Sequence, residues 1–365
     1  MRIGIDARFL GRTTGIGRYI SELFRAMLAA SDDEFVLFLR KSNWDEVSEN
    51  KRIQKVRADI QWYTLAEQLE LVPILDGAGC DIIHFPHWNV PVFVRTPYVL
   101  TVHDLLLFEH PSRRASFLSP LKYAFKYAGF RLVLGQAVKR AKSIIVPSRF
   151  TAGKVEKHFH VGAKTRVVYE GVSSLPSGSD LALLVQKGVT KPYILYVGNA
   201  YPHKNLENLI TTVLKMREGG ENINLVLVGN DDFYNKLKGR FGKVETILFY
   251  GQASDEELSA LYDNAATYAA PALHEGFGLP GLEAMSHNLP VVAARSGSLP
   301  EIYGSAAEYF EPGEDGSLAG SLDVVLKNNF RREQMIADGR KVAAKFSWDS
   351  AATETLKIYR DVLER

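Results

Sequence analysis

Residues Tyr268–His287 read YAAPALHEGFGLPGLEAMSH, and the architecture follows from their reading. Tyr268–Ala270 has the composition of a short buried strand, and Pro271 ends it. A loop carries Glu275. Gly276 and Gly278 remove side chains and free the backbone. Pro280 suits the first turn of a helix, which is expected over Leu279–His287 with Glu283 one turn in. Strand, glycine loop and helix in this order form half of a βαβ unit. Backbone amides near Phe277, Gly278 and Leu279 would point outward from the helix start, a ready site for phosphate or sugar oxygens.

The same alternation extends both ways. Towards the N-terminus of this half, strands are expected at Tyr193–Val197, Asn224–Val228 and Thr246–Phe249, with helices at Asn205–Arg217 and Asp255–Ala265. Beyond the opening stretch comes a strand at Pro290–Ala293. The first half has candidate strands at Arg2–Asp6, Glu34–Leu39, Asp81–His84, Tyr98–Val102 and Ser143–Val146. A helix over Ile16–Ala30 carries Ile16, Ile20, Leu23, Phe24, Met27 and Leu28 at the 3.6-residue period. Strands alternating with helices imply parallel sheets. Residues 171–191, rich in Gly and Ser, read as an interdomain region. The chain is therefore expected to hold two doubly wound Rossmann-like domains, 1–172 and 190–348, facing a central cleft at their strand C-termini.

Composition agrees with two ordinary domains. The chain has 365 residues, 46% hydrophobic and 24% charged, with a formal net charge of +2. These values exclude disordered and collagenous classes. The single cysteine, Cys80, cannot close an internal disulfide, which suggests a reducing, cytoplasmic compartment. No signal-peptide core and no apolar run long enough to span a membrane is seen. The charge is unevenly divided. Residues 1–170 hold 25 Lys+Arg against 17 Asp+Glu, and residues 171–365 hold 19 against 25, so +8 faces −6.

Further candidate site residues lie in loops after strands. In Val197–Asn205, VGNAYPHKN, strand and Gly198 lead to Asn199, His203 and Lys204. A lysine ahead of a helix is unfavourable for the helix dipole, which favours a functional role, and as a point charge it could hold a diphosphate. In Gly251–Ala265, Ser254 and Glu257 form a capping box, while the loop with Ala253 is placed to reach a base. Gly15 and Gly17 precede the first helix. A dinucleotide fingerprint would need a third glycine where Ile20 stands, and an acid where the second strand ends in Arg40, so NAD binding is not expected. His103 and Asp104 follow the strand Tyr98–Val102. His84 and His87, in HFPH, have no third ligand nearby for a metal, so a loop lining an acceptor pocket is the expectation, with His87 and Asp104 as acceptor-binding residues.

Taken together, these segments resemble retaining family 4 glycosyltransferases of the GT-B fold. Residues 275–283, EGFGLPGLE, match that family's E-x7-E motif. IDARFLGRTTGIGRY, TVHDLLLFEHP, IIVPSRF, VGNAYPHKN, GQASDEELSALY, AARSGSLPEIYG and the closing FSWDSAATETLKIY follow in the family's order. The resemblance implies that Glu275 meets the donor sugar at the reacting face and that Glu283 binds the ribose. The amides around Phe277–Leu279 would hold sugar and diphosphate, with Lys204 neutralising the leaving diphosphate and His103 near the transferred sugar. The loop at Gly15 and Gly17 would face the donor phosphates. A closing helix, 349–365, would cross back onto the first domain. Two departures stand out: His203 where members commonly have Arg, and Asn199 where some carry Arg. With His203, one diphosphate contact becomes pH-dependent near neutrality. The family implies no metal and no cofactor beyond a nucleotide diphosphate sugar. GIGRY and EGFGLP resemble a mannosyltransferase branch, making GDP-mannose the first donor and a glycan or polyprenyl-linked hydroxyl the acceptor. The alternatives are a GT-B nucleotide-sugar epimerase or a non-catalytic sugar-nucleotide-binding protein.

Between Glu109 and Glu156 there is no acidic residue but ten Lys or Arg, interleaved with aromatics and leucines. A basic helix of this kind, here 113–142, suits an anionic bilayer surface and a peripheral enzyme at the inner face of the membrane. No nucleic-acid-binding module is recognised, so nucleic acid is not an expected partner.

Overall fold

The computed structural model describes residues 1–11, 14–111, 119–173, 175 and 181–364. The chain divides into two compact units. One is Met1–Gly171 with Ser347–Arg365, the other Val172–Phe346.

The first unit is built on seven strands: β1 Arg2–Asp6, β2 Glu34–Leu39, β3 Ile53–Arg57, β4 Ile82–Phe85, β5 Tyr98–Thr101, β6 Ser143–Val146 and β7 Thr165–Val167. They pair in parallel in the order β3-β2-β1-β4-β5-β6-β7. The inner strands are buried on both faces and so read as unbroken apolar runs. The order runs outward from β1 and then reverses at β4, so β1 and β4 flank the topological switch point, where ligands collect in open α/β sheets. The Gly15–Ala30 helix is capped by Thr14, whose hydroxyl accepts the Gly17 N–H at 3.0 Å. Its buried stripe, with Ile20, Leu23 and Met27, shares a core with Trp348, Ala352, Leu356 and Tyr359 of the Trp348–Leu363 helix. The C-terminal helix thus belongs to the first unit, although the chain reaches it through the second.

The second unit has six parallel strands: β8 Tyr193–Val197, β9 Asn224–Val228, β10 Ile247–Gly251, β11 Thr267–Ala270, β12 Val291–Ala294 and β13 Ala307–Phe310. Their order is β10-β9-β8-β11-β12-β13, so β8 and β11 flank this sheet's switch point.

Three strands, β3, β7 and β13, have no counterpart in the sequence reading. Nor does the helix Leu181–Gln186, inside the stretch read as an interdomain region. That helix belongs to the second unit: Leu184 is buried, and Lys187, just beyond it, pairs with Glu257. Ser174 and residues 176–180 of the same stretch lie outside the described residues.

Candidate active site

The loops after β8 and β11 meet at the second unit's switch point. After β8, Gly198 takes φ +147. A Cβ built on Gly229, at the end of β9, would lie 2.0 Å from the Gly198 carbonyl oxygen, so the two strand ends approach too closely for any side chain there. Asn199 is exposed, and its carbonyl accepts the Tyr196 hydroxyl at 2.6 Å. The chain then turns through Pro202–Lys204 to the Leu206–Glu218 helix, with Asn205 in the left-handed region.

This turn is tied to the β11 loop twice. The Leu273 N–H donates to the His203 carbonyl at 2.7 Å. The Lys204 ammonium donates to Glu275 Oε2 at 2.6 Å, with side chains 17% and 22% exposed. Two residues 71 positions apart thus form one charge pair. His203 is half-buried beside it. Burial, with the charges of Lys204 and His274 added, lowers its pKa to about 3. The ring is therefore neutral near pH 7, which corrects the expectation that it titrates there.

Glu275 is also held from a third loop. Its carbonyl accepts both the backbone N–H and the hydroxyl of Ser298, each at 3.1 Å. Gly297 is required beside it, because a Cβ there would lie 2.6 Å from the Glu275 carbonyl oxygen. Neither residue stood out in the sequence, though both lie within AARSGSLPEIYG. Gly278, at φ +100, begins the Leu279–Ser286 helix. The buried Tyr303 hydroxyl donates to the Gly278 carbonyl at 2.6 Å. The Phe277 ring is buried against Phe346 at 5.6 Å, so Phe277 can offer the site its backbone and not its ring. Glu283 is 1% exposed and accepts the Tyr262 hydroxyl at 3.1 Å, and so is not the solvated helix carboxylate that its position allowed. Ala253 lies half-buried between β10 and the Asp255–Asn264 helix, whose Ser254–Glu257 capping box forms as expected.

In the first unit, His103 follows β5. Its Nδ1 lies 3.2 Å from Glu170 Oε1 and its Nε2 3.0 Å from the Pro86 carbonyl, and Tyr19 meets the ring edge-on at 4.7 Å. Glu170, after β7, is the carboxylate that orients the ring. Asp104 does not: it is exposed and accepts the Leu106 N–H at 2.9 Å, capping a short turn. His84 and His87 point to different partners. His84 is buried between Thr101 Oγ1 and the Tyr359 hydroxyl, each at 2.7 Å, while His87 Nε2 lies 3.0 Å from the Tyr63 hydroxyl. Burial and the His103 charge lower both pKa values to about 3. Among the described residues no group of three or more His, Cys, Asp or Glu is arranged for a metal. Gly17 has a packing reason of its own, since a Cβ there would lie 2.3 Å from the Gly11 carbonyl oxygen. Gly15 has open space around it.

Two family models match this chain in succession. "Glycosyltransferase Family 4" matches residues 13–174, and "Glycosyl transferases group 1" matches residues 185–342. The chain belongs to the family 4 glycosyltransferases. The O-antigen chain mannosyltransferase B of Escherichia coli is 29% identical over 95% of this chain and 96% of that protein. Among solved structures, the sucrose-phosphate synthase of Thermosynechococcus elongatus superposes with a TM-score of 0.80 at 20% identity, covering 100% and 99% of the two chains. HepE of Anabaena, solved with UDP-glucose, gives 0.74 at 19%, covering 98% and 99%. The two parallel α/β sheets are those of the GT-B fold, and the relatives place this glycosyltransferase in a mannosyltransferase-like branch. No helix among the described residues is long and apolar enough to cross a membrane.

Proposed function

We propose that this glycosyltransferase moves a hexose, first mannose from GDP-mannose, onto a hydroxyl of a glycan or lipid-linked acceptor, with retention and without a metal. The observation that carries the reading is the Lys204–Glu275 pair at the β8/β11 switch point. A ligand diphosphate competes with Glu275 for the ammonium. Once it has taken Lys204, the carboxylate is released towards the sugar. Lys204, a neutral His203 and the amides ahead of the Leu279–Ser286 helix then meet charge as it develops on the departing diphosphate. Fixed donors need no reorganisation at the moment of bond breaking. Asn199 and Ala253 complete the donor side with Gly278, Leu279 and Glu283. Gly15 and Gly17 are assigned to the phosphates, and His103, with Asp104 and His87, to the acceptor side. Retaining hydrolases place two carboxylates about 5–5.5 Å apart. No second carboxylate is assigned here, which favours attack on the same face as the leaving group. The mannose assignment leans on the relatives, among them an enzyme named MMP alpha-(1->4)-mannosyltransferase.

The acceptor side is proposed to work at an anionic bilayer. In the Pro120–Arg140 helix, Leu121, Phe125 and Leu132 are 85%, 81% and 64% exposed, and Lys122, Lys126 and Arg131 are exposed beside them. Arg113 and Arg114 lie outside the described residues.

The test is thermal unfolding with GDP-, UDP- and ADP-sugars, since a ligand of the native state raises the melting temperature. GDP-mannose is expected to give the largest shift, followed by transfer in the presence of acceptor. A larger shift with a UDP-sugar moves the donor assignment, and no shift with any of them overturns the reading.

A further inference from the structure

The first unit's own switch point carries a feature that extends beyond the HFPH motif. Phe9 lies just past β1, His87 and Trp88 just past β4, and Trp62 and Tyr63 on the chain that follows β3. Their rings form one cluster. Phe9 stacks on Trp62 at 4.3 Å and Tyr63 on Trp88 at 5.0 Å, and His87 meets Phe9 edge-on at 5.5 Å. Tyr63 is 44% exposed, with its hydroxyl 3.0 Å from His87 Nε2. The cluster adjoins His103, whose Nε2 lies 3.0 Å from the carbonyl of Pro86, the residue before His87.

Tyr63 is held there against its own preference. Its φ is +63, in the left-handed region, where a residue with a bulky side chain is strained. The backbone N–H of Tyr63 donates to Glu67 Oε2 at 2.8 Å. Glu67 is buried, and its Oε1 accepts Arg8 Nη2 at 2.7 Å and Asn89 Nδ2 at 2.6 Å. Arg8, itself buried, grips Asp6 with Nε and Nη2 at 2.8 and 2.7 Å. A buried ion network is weak evidence for stability, since apolar replacements often serve as well. This one fixes a strained loop that presents an aromatic face at a switch point, the pattern expected of a binding site.

We propose that these rings form a subsite for a pyranose ring of the acceptor, with the exposed Tyr63 ring as its binding surface, Trp62, held between Phe9 and the Arg40 guanidinium, as its support, and Arg8, Asp6, Glu67 and Asn89 as positioning residues. The proposal rests on the reading that the first unit takes the acceptor. A pyranose has an apolar face of C–H groups and a rim of hydroxyls. The C–H face suits the electron-rich face of an aromatic ring, and the Tyr63 hydroxyl and His87 lie where a hydroxyl rim needs partners. An acyl chain would have no use for that polar edge, in contrast to the exposed Leu121 and Phe125.

Saturation-transfer NMR on the full chain, with methyl α-mannopyranoside, α-1,3-mannobiose and methyl β-glucopyranoside as probes, tests this. At least one saccharide is expected to receive transfer, strongest on the protons of one ring face. Tyr63→Gly suits the backbone conformation but removes the ring, and is expected to cut the signal at least fivefold. Tyr63→Phe keeps the ring and is expected to hold the signal within about twofold. Transfer to none of the three, or undiminished transfer in Tyr63→Gly, overturns the subsite. Thermal shifts with GDP-, UDP- and ADP-sugars on the same samples separate the two readings. With those shifts present, a negative NMR result removes the subsite alone, and their absence removes the transfer reading beneath it.

Discussion

At the scale of single residues, the Lys204–Glu275 pair decides most. An ion pair still 17% and 22% exposed contributes modestly to folding, about 1–2 kcal/mol. Its removal should therefore leave the melting temperature within a few degrees of wild type. Its effect on the reaction should be far larger, because removing one preorganised partner of a developing charge costs about 10²–10³ in rate. Lys204→Ala and Glu275→Ala are each expected to lower kcat for transfer at least about 100-fold. Near-normal rates in both would refute the site, and a rate loss that follows a collapse in melting temperature would make the pair structural. Transfer by wild type is also expected to survive saturating EDTA, because Lys204 supplies the positive charge a metal would bring; loss restored by added Mg²⁺ would refute that. Both residues were legible in the sequence because each stands in a glycine- or proline-marked loop after a strand. Glu170, Ser298 and Glu67 were not. Each acts on a residue of a distant loop (His103, Glu275 and Arg8), and nothing local marks a carboxylate or hydroxyl whose partner is supplied by the fold.

Elements show the same division between local and long-range causes. Gly281 in the Leu279–Ser286 helix reads as an ordinary weak point of a helix, yet a Cβ there would lie 2.2 Å from the hydroxyl oxygen of the buried Tyr303. Gly281→Ala is expected to destabilise by about 1–3 kcal/mol through overpacking. Gly239, in the Asp232–Phe241 helix, is exposed with open space around it, so Gly239→Ala should stabilise by about 0.5–1 kcal/mol. Urea unfolding of both variants checks the pair, and equal effects would contradict the packing account. The Pro120–Arg140 helix makes a different forecast. Its exposed Leu121, Phe125 and Leu132 are spaced four and seven residues apart, and so form one stripe. Co-sedimentation with phosphatidylglycerol vesicles at low salt is expected for wild type, because little screening weakens the attraction there. It should be lost in the double variant Leu121→Asp, Phe125→Asp. Failure of wild type to sediment would sink the membrane assignment. The strands missed from sequence are β3, β7 and β13, and each lies at the edge of its sheet. Edge strands are covered less completely, so IQKVR and AEYF mix charge with apolar residues and lack the continuous apolar signal of the inner strands. β7 is also only three residues long.

For the whole molecule, two sheets with separate cores divide the +8 and −6 of the sequence roughly between them, and alternation of strand and helix was enough to foresee both. The seat of the C-terminal helix in the first core came from family resemblance, since its residues show only an amphipathic pattern. The structure supplies a polar reason: Tyr359 bonds to His84, which bonds to Thr101, which lies 3.2 Å from the Tyr19 hydroxyl. This chain joins the last helix to β4, β5 and the first helix through a fully buried imidazole. Burial and the His103 charge lower the His84 pKa from about 6.5 to about 3, so the native state holds it neutral while the unfolded chain takes up a proton. Between these two values the unfolded state binds more protons, and stability therefore rises with pH across that window. The contribution is complete above about pH 6.5 and is lost as the pH falls towards 3. At pH 5.5, one unit below the unfolded value, the loss amounts to roughly 1 kcal/mol. Urea unfolding of wild type should therefore show the first unit losing about that much stability between pH 7.5 and 5.5 on account of His84. In His84→Gln, which cannot titrate, the same pH change should cost roughly 1 kcal/mol less. An unchanged pH slope in the variant would mean that the imidazole is reached by water and protonates in place, and the buried chain from Tyr359 to Tyr19 would then not be what fixes the C-terminal helix to the first unit.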